Sequence, residues 1–84
     1  MAATHDDISG WFDDGIQQDK SYMIVLCDTF DYSDYPIYAD TANDCMFKFR
    51  NPGSMQRVME VYDLKADKKA QMNALRAFNL PKDQ

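Results

Sequence analysis

Three carboxylates, Asp28, Asp31 and Asp34, recur at every third position of the stretch CDTFDYSDY, and their type and spacing are what this chain offers to chemistry. Carboxylates gathered at a strand end can hold a hard cation or work as an acid/base pair, so a metal-dependent hydrolase using these three is one reading. The spacing departs from the alternating-aspartate loop that wraps calcium, and no glycine supplies the sharp turn of such a loop. A plainer reading makes them solvated turn and cap residues. A third reading is docking. Tyr22, Phe30, Tyr32, Tyr35 and Tyr38 surround the acids, and tyrosine beside aspartate combines rigid amphipathic area with acceptors for arginine and lysine. Against this, Phe30, Tyr35 and Tyr38 can simply complete a thin core, and Tyr32 is expected to be the most exposed of the group.

The remaining reactive residues form no set. His5 is the only histidine and stands at a helix start, while Cys27 and Cys45 are dispersed, which excludes a zinc spacing. Cys27 ends an apolar run where thiolate is disfavoured, so both cysteines read as small buried hydrophobes. Gly10, Gly15 and Gly53 are scattered and build no phosphate loop. No catalytic residue, metal site or cofactor is assigned. Arg57, Lys65, Lys68, Lys69 and Arg76 form a candidate basic strip along the last strand and helix. It is either a solvated face, an anion site or a surface for the acidic half of a second copy.

Those acids and bases are unevenly distributed. The net charge is −5, but residues 1–44 carry −9 and residues 45–84 carry +4. A single-sign acidic region steers a basic partner, and it disfavours nucleic acid. Eighty-four residues make one small domain whose thin core leaves homo-oligomerisation open. The residues 1–4 and 81–84 read as flexible ends. A hydrophobic content of 45% excludes a disordered chain. No apolar run approaches the roughly 18 residues of a membrane span, and MAATHDD lacks the pattern of a signal peptide, so a cytoplasmic protein is expected.

The elements that must position these residues follow from periodicity. Thr4 caps a helix with Asp7 three residues on, and Ile8, Trp11, Phe12 and Gly15/Ile16 form its apolar face, with Trp11 as anchor. Gly10 is expected to allow close packing, and Gly15 to loosen or end the helix. Tyr22 to Phe30 is a strand covered on both faces, and Tyr35 to Ala39 its antiparallel partner, starting at Pro36 or lying at an edge. Thr41 caps a short helix through Arg50 that buries Cys45, Met46 and Phe49. Asn51-Pro52-Gly53 is a turn.

Residues 54–64 fit helix and strand alike. Met55, Val58, Met59 and Tyr62 have helical spacing, whereas Val58, Tyr62 and Leu64 alternate against Met59 and Val61. A strand is preferred, because two strands alone make a marginal sheet. A last helix, capped by Asp67 or Asp63 and striped by Met72, Leu75 and Phe78, is expected to end near Asn79. The order is α-β-β-α-β-α: a small α/β domain of the α+β type, with a mainly antiparallel three-stranded sheet and packed helices.

The runs WFDDGIQQ, MIVLCDTFDYSDYPIYA and MQRVMEVYDL, with a terminal RAFN, resemble small uncharacterised proteins of tailed phages and prophages across residues 8–79. The resemblance implies a phage accessory protein acting in the bacterial cytoplasm. It leads to the expectation of a non-enzymatic inhibitor of host defence, in the manner of anti-CRISPR proteins. Its docking surface would comprise Asp13, Asp14, Asp28, Asp31, Tyr32, Asp34 and Tyr35, meeting a basic surface of a host protein or defence complex. The alternative is an oligomeric sponge for a nucleotide-like signal, with Arg57 or Lys68 and Lys69 on the phosphates and tyrosines stacked on the base.

Overall fold

A computed structural model of the chain describes residues 3–74 and 77–81. Six elements follow one another: α1 (His5–Gln17), β1 (Tyr22–Asp28), β2 (Ser33–Ala39), α2 (Ala42–Arg50), β3 (Gln56–Asp63) and α3 (Lys68–Met72). The strands form one antiparallel sheet in the order β2-β1-β3, so this is a single α+β domain with the anticipated order.

β1 is central because its continuous apolar run has partners for both faces. Met23 and Val25 join Phe12, Tyr62, Leu64 and Ala77 under α1 and α3; Ile24 and Leu26 join Ala39, Cys45 and Val61 under α2. β1 ends at Asp28, two residues short of the expected limit, and Phe30 lies in the turn. β2 is an edge strand that starts at Ser33, and it carries Pro36 where a missing N–H is tolerated.

The helix starts form as their sequences dictate. Thr4 and Asp7 exchange side-chain and main-chain hydrogen bonds at 3.1 Å in a capping box, and Thr41 accepts from the Asp44 N–H. The glycines of α1 exchange the roles expected of them. A Cβ on Gly10 would meet nothing, whereas one on Gly15 would lie 2.6 Å from Leu64 Cδ1 and 2.7 Å from Tyr38 Cε1. Gly15 is thus where the helix sits closest to the sheet, and α1 continues through it. The anchor is Phe12, 1% exposed and edge-on to Tyr62 at 6.1 Å, while Trp11 is half-buried at the margin. Ile16 faces outward.

Residues 56–63 are a strand, and a β-bulge explains the double pattern. Val25 pairs with Glu60 but Leu26 pairs with Val58, which leaves Met59 as the extra residue. The bulge reverses the alternation, so Val58 packs with Val61 in one cluster while Met59 packs with Tyr62 and Leu64 in the other. Spacings of three within a strand therefore imitated a helix.

α3 is shorter than expected. Asp67 caps it, Asn73 follows Met72 as its C-cap, and the chain returns alongside β3. The Val61 N–H donates to the Ala77 carbonyl and the Asn79 N–H to the Val61 carbonyl, both at 2.9 Å. The open edge of β3 has peptide groups to satisfy, and this segment satisfies one position of it. Phe78 is accordingly half exposed rather than part of a helical stripe, and Leu75 lies outside the described residues. Of the ends expected to be flexible, Ala3 and Thr4 are hydrogen-bonded, whereas residues 1–2 and 82–84 lie outside the described residues.

Candidate functional site

The turn from β1 to β2 is built by its own aspartates. Asp28 accepts the Phe30 N–H through Oδ1 at 2.9 Å, and Asp31 accepts the Ser33 N–H through Oδ1 at 3.0 Å. These are side-chain-mimicked turns of the kind Asp favours. The Tyr32 N–H donates to the Asp28 carbonyl at 2.7 Å, with Tyr32 at φ 60°, in the left-handed region. Asp34 Oδ2 accepts the Ala3 N–H at 3.0 Å, fastening the start of α1 to the hairpin. The three carboxylates thus serve three different main-chain donors. Among the described residues, no group of three or more His, Cys, Asp or Glu side chains is placed to hold a metal ion.

The third segment at this end is the loop into β3. The Thr29 N–H and hydroxyl both donate to the Met55 carbonyl, at 2.8 and 3.0 Å. Phe30, Tyr32 and Met55, at 78%, 68% and 50% exposure, therefore share one end of the sheet with Asp28, Asp31 and Asp34. Phe30 exceeds Tyr32, which was expected to be the most exposed. Tyr35 and Tyr38 turn to opposite faces: Tyr35 borders the α2 cluster, and the Tyr38 hydroxyl donates to the Trp11 carbonyl at 2.7 Å.

Asp13 and Asp14 are not part of this end. Asp13 lies roughly 14 Å along the axis from Thr4, at about 1.5 Å per residue. It accepts from Lys68 Nζ at 3.0 Å, and Asp14 is exposed on the same turn, near Tyr38. The candidate basic strip is also divided. Arg57 faces Cys27 at the hairpin end of β3, and a strand rising about 3.3 Å per residue puts it roughly 20 Å from Asp63. Lys65 pairs with Asp19 beyond the far end, and Lys68 caps the Phe12 ring. Lys69 borders a shallow cleft between α1 and α3 with His5, Ser9 and Met72. Arg76 lies outside the described residues.

Folding redistributes the charge. Lys20, Lys48, Lys65 and Lys68 pair with Asp40, Asp44, Asp19 and Asp13. Such exposed pairs contribute little stability, about 0–1 kcal/mol each, but they cancel field. Among the described residues, Asp6, Asp7, Asp14, Asp28, Asp31, Asp34, Glu60, Asp63 and Asp67 have no ion-pair partner. Asp28, Asp31 and Asp34 lie at the hairpin end, and the Ala3–Asp34 bond brings the start of α1, with Asp6 and Asp7, towards it. The hairpin end thus keeps several carboxylates without ion pairs beside the exposed aromatics, with Arg57 of β3 near them.

Neither cysteine offers a ready thiolate. Cys27 is buried between Asp34 and Arg57 on the neighbouring strands. Burial raises its pKa, and the neighbouring Asp34 carboxylate adds to this, so the thiol, which donates to the Asp28 carbonyl at 3.8 Å, stays protonated. Cys45 is pushed up to about 11, chiefly by burial. The sequence places Phe30 among the aromatics around the acids, with core completion as the competing reading, and its 78% exposure decides against the core; the contribution of Met55 was missed. The only signal for Met55 was its place between the Asn51-Pro52-Gly53 turn and the strand. No family model, curated protein or solved structure matches the chain.

Proposed function

We propose that this chain is a non-enzymatic docking protein that engages a basic surface of another protein through the β1–β2 tip. The observation carrying this reading is the coincidence of exposed Phe30, Tyr32 and Met55 with unpaired Asp28, Asp31 and Asp34 at one end of a rigid sheet. Aromatic anchors supply affinity on desolvation, and the surrounding carboxylates set orientation and on-rate. The strained Tyr32 supports the same reading. A bulky residue at positive φ costs about 1–2 kcal/mol, and at 68% exposure no core packing offsets it.

The resemblance to tailed-phage proteins supports placing the partner in the infected bacterial cell. There a docking protein of this kind would occlude a basic surface of a defence factor, a surface that otherwise holds nucleic acid. The test is capture from bacterial lysate with the wild-type chain, with F30A/Y32A, and with D13N/D14N. The tip variant should lose the captured partner and the helix variant should retain it. Equal retention by both would refute docking through the tip.

A further inference from the structure

At the opposite end of the sheet, a cavity of about 540 Å³ opens between β1, β3 and the returning segment 77–81. Its size falls within the range of about 300–1,000 Å³ common for small-ligand sites. Tyr22 and Asp63 face each other in register across β1 and β3, so the ring and the carboxylate stand side by side on one face. The segment held to Val61 brings Phe78 and Leu80 to the other wall.

Asp63 is unusually well fixed for a residue at a strand end. Buried Gln71 accepts its N–H at 2.7 Å and donates to its carbonyl at 2.8 Å, while its Oδ1 accepts the Lys65 N–H at 2.9 Å. Its carboxylate has no ion-pair partner among the described residues, because the nearby lysines Lys20 and Lys65 are engaged with Asp40 and Asp19. A fixed carboxylate, two aromatic rings and an aliphatic side chain around one cavity match a cation on an apolar stem. In such a site the carboxylate accepts the N–H donors, the aromatic side chains lining the cavity attract the charge, and Leu80 offers apolar surface to the stem. With a single carboxylate, the set does not suit a hard metal ion, which needs several oxygen ligands.

We propose that this cavity binds an alkylammonium or alkylguanidinium group, supplied either by a free amine or by a lysine or arginine side chain. The site is distinct from the hairpin tip and does not depend on it.

The test is a titration of the isotope-labelled protein by amide NMR. The probes are n-butylammonium chloride and N-acetyl-lysine methylamide, with sodium chloride at equal ionic strength and n-butanol as controls. Saturable shifts are expected at Tyr22, Asp63 and Asn79 with the two cations and with neither control. D63N retains an oxygen for the Lys65 N–H and should weaken binding about tenfold or more. F78A, which leaves the main-chain bridge intact, should weaken it about twofold or more. Whichever cation binds more tightly identifies the source, and binding by either supports the site. Shifts reproduced by sodium chloride or n-butanol, or unchanged binding in both variants, would overturn the proposal.

Discussion

The Tyr32 N–H donates to the Asp28 carbonyl at 2.7 Å, and this bond holds the tip of the first hairpin in a left-handed conformation that a tyrosine adopts at a cost. Asp28 and Asp31 stabilise it from either side through their side chains. The turn is thus built by its acids and presents its aromatics, which is why carboxylates that resemble a catalytic set are better understood as a scaffold.

The strain at Tyr32 gives the first expectation. Asn tolerates positive φ better than tyrosine, so Y32N should raise stability by about 0.5–1 kcal/mol in urea denaturation. The same variant should bind the captured partner more weakly. Loss of stability would show that the Tyr32 side chain contributes to the fold rather than to docking.

The two glycines of α1 should respond with opposite signs. G10A adds a Cβ in open space and should stabilise by up to about 1 kcal/mol. G15A drives a Cβ against Leu64 and Tyr38 and should destabilise by about 1–3 kcal/mol. Denaturant midpoints of the two variants decide the matter.

Gln71 is the buried polar residue that joins α3 to the end of β3. Q71L keeps volume but removes the acceptor of the Asp63 N–H, so a cost of about 1–3 kcal/mol is expected. Faster amide exchange should be seen at Asp63 and spare Ile24. A neutral result would mean that the strand end does not need this clamp.

The neutral thiol of Cys45 makes alkaline stability measurable. Its folded pKa of about 11 lies above the ordinary 9.0, so its contribution is complete below pH 9 and is lost as pH rises through about 11. Tyr62, raised by burial and by its hydrogen bond to Glu60, adds to the loss once pH passes its ordinary value of 10.0. Denaturation between pH 8 and 11 should show falling stability, with a shallower decline in C45A. In native protein at pH 8, both buried thiols should react slowly with a disulfide reagent and quickly once unfolded.

Much of this fold was legible in local sequence. Thr4 and Thr41 with their partners Asp7 and Asp44 marked two helix starts, and Pro36 marked an edge strand, because each signal acts within a few residues. What escaped was tertiary. No periodicity tells whether Gly10 or Gly15 meets the sheet, or that Phe12 rather than Trp11 is the anchor. The bulge at Met59 gave β3 a helix-like spacing, and the open edge of β3 drew Ala77 to Asn79 out of an expected helix. For the site, the acidic aromatic turn was visible as a composition. The pairing of Asp13 with Lys68, and the addition of Met55 to the tip by Thr29, depend on contacts between distant segments.

The most direct measurement is the association rate of the captured partner with the wild-type chain, F30A/Y32A and D31K, at low and high salt. Docking through the tip predicts that rising salt slows association of the wild type, that D31K associates slowly with little salt dependence, and that F30A/Y32A dissociates faster at every salt concentration. Rates that are the same for all three proteins and indifferent to salt would contradict it.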